Sequence, residues 1–249
     1  MPYKSMRKTL LSLAACLVSA LTLAHENRIS ETVTDTVPAQ ARVQTMLALS
    51  LKSSYISRGS QCGGVGLYPE LGISYRGFSL EAWAFIGFDN KDTKELDLKL
   101  AYQTGGFSAG VTDYWYLPYE KSEQIGFFHF NPHHTQHQLE ANVGYDLGFV
   151  RARWRTMFAG FDHLESGRRA YSTYVAIHAP FRLGGLAWEG TVGLTPWKGG
   201  YADRFNVVHL ALQATKEIRF TPTFSLPVFA ALTLNPDKQR VYFSAGFTL

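Results

Sequence analysis

The sequence predicts an all-β protein: a closed antiparallel transmembrane β-barrel of about twelve strands, preceded by a cleaved signal peptide. Three observations carry this. Apolar residues recur at every second position, almost without pause, from Thr45 onward. The connections between these alternating stretches are by turns short and long. The final stretch, Arg240 to Leu249, is amphipathic with a period of two: Val241, Phe243, Ala245, Phe247 and Leu249 share one phase, Tyr242, Ser244, Gly246 and Thr248 the other. An apolar strand edge left bare invites aggregation, whereas a barrel closes by pairing its last strand with its first.

The N-terminus is read separately. Lys4, Arg7 and Lys8 precede an apolar run from Leu10 to Leu23, and Thr22-Leu23-Ala24 supplies small residues for cleavage. Residues 1–24 are therefore expected to be a secretory signal, too short to cross a bilayer as a helix. Leu13-Ala14-Ala15-Cys16 has the look of a lipobox, but the apolar run continues past Cys16, which favours simple cleavage near Ala24. Removing residues 1–24 takes away three of the 24 Lys+Arg and none of the 20 Asp+Glu, leaving 21 against 20. A near-balanced chain gives no reason to expect nucleic acid as a partner. Of the 2 cysteines only Cys62 would remain, so no intramolecular disulfide is expected. Mean hydropathy lies close to zero. No run of about 18 or more apolar residues survives cleavage either, and the two facts together exclude a helical membrane protein but not a barrel, where only alternate residues meet lipid.

Residues 25–44 are polar, rich in Thr and Glu, and read as a flexible periplasmic lead-in. The barrel is expected over 45–249. Leu47, Leu49, Leu51 and Tyr55 form the first apolar face; Leu71, Ile73 and Tyr75 follow, then Phe78, Leu80, Ala82, Ala84, Ile86 and Phe88. The rhythm continues through Leu96 to Tyr102, Phe107 to Trp115, Leu139 to Leu147, Val150 to Phe158, Tyr171 to Ala179, Leu186 to Leu194, Val208 to Ala214 and Phe224 to Leu234. Arg76-Gly77, Thr104-Gly105-Gly106, the Gly148 turn and Arg182 to Gly185 are short connections, and Lys216 to Thr223 a moderate one. Longer ones lie between them, notably Gly59 to Leu67 and Glu120 to Gln136. This gives about five inner turns and six outer loops, with aromatics at both strand ends where two lipid–water interfaces would select them. Asp113 falls in the lipid-facing phase, where a bulge would restore order, and Pro227 sits mid-strand at a bulge or irregularity.

The opposite phase is charged. The candidate pore-lining residues are Arg58 in the first outer loop and, on strands, Glu70, Glu81, Glu95, Asp97, Lys99, Glu140, Asp146, Arg151, Arg153, Arg155 and Glu189, with Lys52 beside them. Arg151, Arg153 and Arg155 form a ladder, and across the Gly148 turn Glu140, Asn142 and Asp146 point the same way. Two readings stay open: a transverse field that selects polar solutes, or a salt-bridge network filling a narrow lumen. His129, His133, His134 and His137 share one loop, but no Cys lies near and Asn131-Pro132 signals a turn, so no metal or other cofactor is expected. Phe127, Phe128 and Phe130 are apolar for an exposed loop; they fold inward as a constriction or rest at the membrane rim. A lipid-hydrolysing enzyme would need a Ser–His pair on the outward face. The strand histidines His178 and His209 fall in the inward phase, so no enzyme is expected.

Ser54-Tyr55-Ile56-Ser57-Arg58-Gly59-Ser60-Gln61, followed by Pro69-Glu70-Leu71-Gly72, resembles the opening hairpin of the TorF-like porins, small bacterial outer-membrane β-barrels. Ala170-Tyr171-Ser172-Thr173-Tyr174 adds to the resemblance. Its ending, Gly246-Phe247-Thr248-Leu249, is similar to the C-terminal signal read by the barrel-assembly machinery, although Leu249 stands where such barrels carry an aromatic. The resemblance implies channel activity, with Tyr55, Arg58, Gly59 and Gln61 as marker residues. Together these readings predict a Gram-negative outer-membrane porin that passes small polar or charged solutes by diffusion. Its partners would be outer-membrane lipid, the assembly machinery and the solutes themselves.

Overall fold

The computed structural model describes residues 43–117, 126–131 and 134–249. The expected signal peptide, the Cys16 lipobox, the lead-in as far as residue 42 and His133 lie outside the described residues. β1 (Gln44–Lys52) leads into a small hairpin of β2 (Tyr55–Ser57) and β3 (Ser60–Gly63). Then come β4 (Gly66–Tyr75), β5 (Phe78–Gly87), β6 (Lys94–Thr104), β7 (Phe107–Leu117), β8 (His137–Asp146), β9 (Arg151–Gly160), β10 (Thr173–Leu183), β11 (Leu186–Thr195), β12 (Asn206–Thr221), β13 (Phe224–Asn235) and β14 (Arg240–Thr248). Every strand but β2 and β3 belongs to one closed antiparallel barrel in which each pairs with its neighbour in sequence and β14 closes on β1. The seam pairs Ser50 with Thr248, Leu51 with Phe247 and Lys52 with Gly246. Leu49 and Leu249 exchange backbone hydrogen bonds of 3.1 and 2.9 Å. Closure leaves no sheet edge exposed along the seam where these strands pair.

The alternation seen in the sequence becomes the two faces of this wall, because successive side chains of a pleated strand point opposite ways. Leu47 is 82% exposed on the outer face, and Leu80, Leu100, Ile177, Leu232, Val241 and Phe243 are also exposed there. Aromatics mark both ends of that face: Tyr75, Phe78, Tyr102, Phe107, Tyr145, Phe220 and Phe224 at the end with the tight turns, Phe88, Phe161 and Trp197 at the end with the long loops.

Five expectations are corrected. The connection Lys216 to Thr223 is mostly strand: β12 runs on to Thr221 and meets β13 across two residues. Tyr55 leaves the outer face, because the chain turns inward after β1 and β2 carries Tyr55 against Tyr68, Trp83 and Phe85. Val208 also leaves the outer phase. A register shift opposite Gly193/Leu194 makes it the extra residue of β12, and it packs with Tyr174, Ala176 and Ala202. β7 keeps its register at Asp113, so no bulge turns that carboxylate inward. Pro227 sits in unbroken register with Glu217. The β13–β14 ladder starts only at Val228, so Pro227 has a paired strand on one side alone, which is where a residue without an N–H is tolerated.

Candidate functional site

The site is built by the hairpin that follows β1. Ser57 pairs with Ser60, leaving Arg58-Gly59 as a two-residue connection with φ of 49° and 81°. Two positive φ values in a two-residue loop are the type I′ arrangement, whose twist suits antiparallel strands. Glycine accepts this freely, while arginine is strained by about 1–2 kcal/mol. Gly59 is required for a second reason: a Cβ there would run into the Val208 carbonyl. Asn235 donates to the Gly59 carbonyl at 2.9 Å, Lys238 donates to Ser60 at 3.0 Å, and Ser53 exchanges bonds with the backbone of Ala245. These anchors hold the hairpin inside the barrel rather than above it.

From this turn Arg58 reaches the wall formed by β7, β8 and β10. Its Nη1 lies 2.6 Å from Glu140 Oε2 as an ion pair, and its Nη2 donates to Glu140 Oε1 at 3.0 Å. Nη2 also donates to the Tyr114 hydroxyl at 2.8 Å, Nη1 donates to the Tyr201 hydroxyl, and Tyr114 donates to Glu140 at 2.9 Å. The rings of Tyr114, Tyr174 and Tyr201 stand 5.6, 5.5 and 5.5 Å from the guanidinium carbon, within cation–π range. Burial works against the charge on Arg58; the Glu140 carboxylate, the Tyr114 and Tyr201 hydroxyls and the three ring faces offset that cost. Tyr201 comes from the loop after β11. That loop is tied down where Ser172, bonded to Asp162 at 2.5 Å, accepts from the Gly200 N–H at 2.7 Å. Tyr174 is fixed by His209, whose Nδ1 is 2.7 Å from its hydroxyl.

The loop half of the lumen is dry. The Arg58 and Glu140 side chains are 12% and 1% exposed. Tyr68, Phe85, Glu95, Thr112, Met157 and Thr233 are buried around the hairpin. The turn half is wetter. There Arg151 pairs with Glu189, both 34% exposed, and His178 Nδ1 lies 3.3 Å from the same carboxylate. Lys99 pairs with Glu81 directly across the β5–β6 ladder at 2.8 Å.

The expected pairing of the ladder is corrected. Arg151, Arg153 and Arg155 stand opposite Asp146, Gly144 and Asn142, but no ion pair joins them to Glu140 or Asp146 among the described residues. Glu140 is taken by Arg58. Asp146 instead accepts from the Gly148 N–H at 2.7 Å and shapes its turn. Arg153 lies over Gly144, where a Cβ would obstruct it, and donates to the Ala152 carbonyl at 3.1 Å. The Nε of Arg155 is buried and has no hydrogen-bond partner among the described residues. Glu95 and Asp97 lie beside Tyr116, with Tyr55 against Glu95. Glu70 stands on β4 between Ala48 and Trp83. Of the residues the family resemblance implies, Tyr55, Arg58 and Gly59 take part in the inward hairpin, while Gln61 is exposed and bonds Ser54 at 3.3 Å.

Sequence reasoning missed Tyr114, Tyr174 and Tyr201. The signal available was an Arg at a position where a β-turn prefers Asn or Asp. It also missed what stabilises Asp113. His137 is the first residue of β8 rather than part of the loop, and its Nδ1 meets Asp113 at 2.8 and 2.9 Å on the outer wall. Its Nε2 is engaged by the Phe127 carbonyl at 2.6 Å, so neither ring nitrogen is free to act as a base. Phe130 stacks on His137 at 4.4 Å and Phe127 meets Trp115 edge-on at 5.6 Å. Of the two places open to this aromatic loop, it takes the outer wall at the loop end. No protein-family model and no curated protein matches the chain.

Proposed function

We propose that this chain is an outer-membrane channel for small polar or charged solutes, constricted from within by its first-loop hairpin. The outer wall supports the membrane location. It carries exposed leucine, valine and phenylalanine along its height and aromatics at both ends, the surface a bilayer and its two interfaces select. The amphipathic strand β14, which closes the barrel, is the element the assembly machinery would read. The observation that carries the channel reading is the unequal filling of the lumen. A turn-side half lined by Arg151, Glu189, Lys99 and Glu81 leads up to a tie across the lumen, Arg58 to Glu140. Charges in a water-accessible lumen order and select ions, and an inward-folded loop sets how narrow the path becomes. One observation favours a second reading, a plugged structural barrel: the Arg58 and Glu140 side chains are 12% and 1% exposed.

Recordings in planar bilayers separate the two. The wild type is expected to show small, ion-selective conductance, and a variant with residues 55–63 replaced by a flexible Gly/Ser linker a several-fold larger one. If neither folded protein conducts, the plugged reading stands and the channel is lost.

A further inference from the structure

On the turn side of the hairpin lies a cavity of about 290 Å³, close to the ~300 Å³ lower end of ordinary small-molecule sites. It sits at the barrel seam. Ser50 and Lys52 of β1, Gln213 of β12, Phe229 of β13 and Ser244 and Thr248 of β14 form its walls, and the root of the hairpin roofs it. Hydroxyls and an amide both donate and accept, so this lining matches a ligand that carries hydroxyls. Its charge is that of Lys52, which makes no ion pair among the described residues. The ammonium is instead held over the Tyr68 ring at 4.4 Å, with Phe229 at 6.0 Å. Aromatic faces keep a cation in place without neutralising it, leaving a positive group available to an incoming anion. Glu70, on the adjacent strand, forms no ion pair with this ammonium among the described residues.

We infer that this cavity binds a small hydroxylated carboxylate, of the sugar-acid type. Lys52 meets the carboxylate, Gln213, Ser244 and Thr248 meet the hydroxyls, and Phe229 lies against the carbon chain. The site would be the last stop before the constriction. In that respect it rests on the channel reading, but binding can be measured without conduction.

The test is calorimetric titration of the folded protein in detergent with sodium gluconate, with sorbitol as the uncharged control of similar skeleton. One saturable gluconate site is expected, weakened at least about tenfold by Lys52→Gln, because an ionised hydrogen-bond partner is lost. Gln213→Leu, which keeps the charge, should weaken it several-fold. Sorbitol should not saturate. No saturable gluconate binding, or gluconate binding unchanged in folded Lys52→Gln, would overturn the assignment, as would sorbitol binding equal to gluconate. Saturable, Lys52-dependent binding in a protein that never conducts would keep the site and remove the channel; conductance without such binding would do the reverse.

Discussion

The chain uses the same dipeptide twice at the tip of a hairpin. Arg58-Gly59 and Arg76-Gly77 both have positive φ at each residue, 49° and 81° in the first, 49° and 87° in the second. Locally they are one structure. Arg76 is exposed at the turn end, with its guanidinium 5.2 Å from the ring of its own neighbour Tyr75. Arg58 is driven into the lumen and surrounded by a carboxylate and three tyrosines. The backbone strain of an arginine at this position is therefore common to both. What differs is whether the surrounding barrel answers the side chain. The turn is a property of four residues; the constriction is a property of strands far apart in sequence.

The largest effect that sharpens this contrast is expected from Arg58→Ala. It strands Glu140, 1% exposed, without its counter-charge, and breaking a buried pair on one side costs about 3–5 kcal/mol. Urea unfolding in lipid vesicles should show that loss, and planar-bilayer current should rise several-fold as the tie across the lumen opens. The paired change Arg58→Ala with Glu140→Ala should recover about 2 kcal/mol or more of the loss, since no unpaired charge remains. Additive losses would mean that the two side chains do not act together.

A smaller effect separates the glycines. A Cβ at Gly59 would meet the Val208 carbonyl and one at Gly77 the Gln103 carbonyl, so both Gly→Ala variants should lose stability, by about 1–3 kcal/mol on backbone grounds alone. Only Gly59→Ala should alter conductance. An equal change of current in both variants would break the comparison, because the turn-end hairpin touches nothing in the constriction.

The wetter half of the lumen should respond differently again. Replacing Arg151 and Arg153 together by Gln removes positive charge from a region whose best-placed pair is already one-third exposed. Stability should fall by about 1 kcal/mol or less, as for other solvent-screened pairs. The reversal potential across a salt gradient should move toward cation preference. A stability loss as large as that of Arg58→Ala would show that this half is as dry as the other.

These differences also explain what the sequence could and could not reveal. The two faces of the wall follow from the pleat, so leucines such as Leu47, Leu80 and Leu232 announce them without any knowledge of partners. The inward path of Tyr55 to Ser60 does not follow from pattern. Tyrosine and arginine suit a rim, a lumen or a loop equally, and the choice is made by Glu140, Tyr174 and Asn235, more than eighty residues downstream. Val208 was misplaced for a local reason: a bulge shifts the phase by one residue while leaving the apolar alternation on paper intact. Asp113 looked like an error in the outer phase because its partner, His137, lies beyond a long loop. The ladder arginines sat at the expected register, but register fixes neighbours rather than charge partners, and Glu140 was claimed from across the lumen.

The smallest effect, and the sharpest control, is Arg76→Ala. Its cation–π contact with Tyr75 at an exposed turn is worth about 0.5–1 kcal/mol, and relief of arginine strain at positive φ offsets part of that. Unfolding midpoints should therefore scarcely move, and single-channel current should be that of the wild type. The same dipeptide, cut back in the same way, would then give opposite outcomes at the two ends of the barrel. If Arg76→Ala instead opened the lumen as Arg58→Ala does, the constriction would have to be set by the strength of the hairpins in general, and the tie between Arg58 and Glu140 would lose its special place.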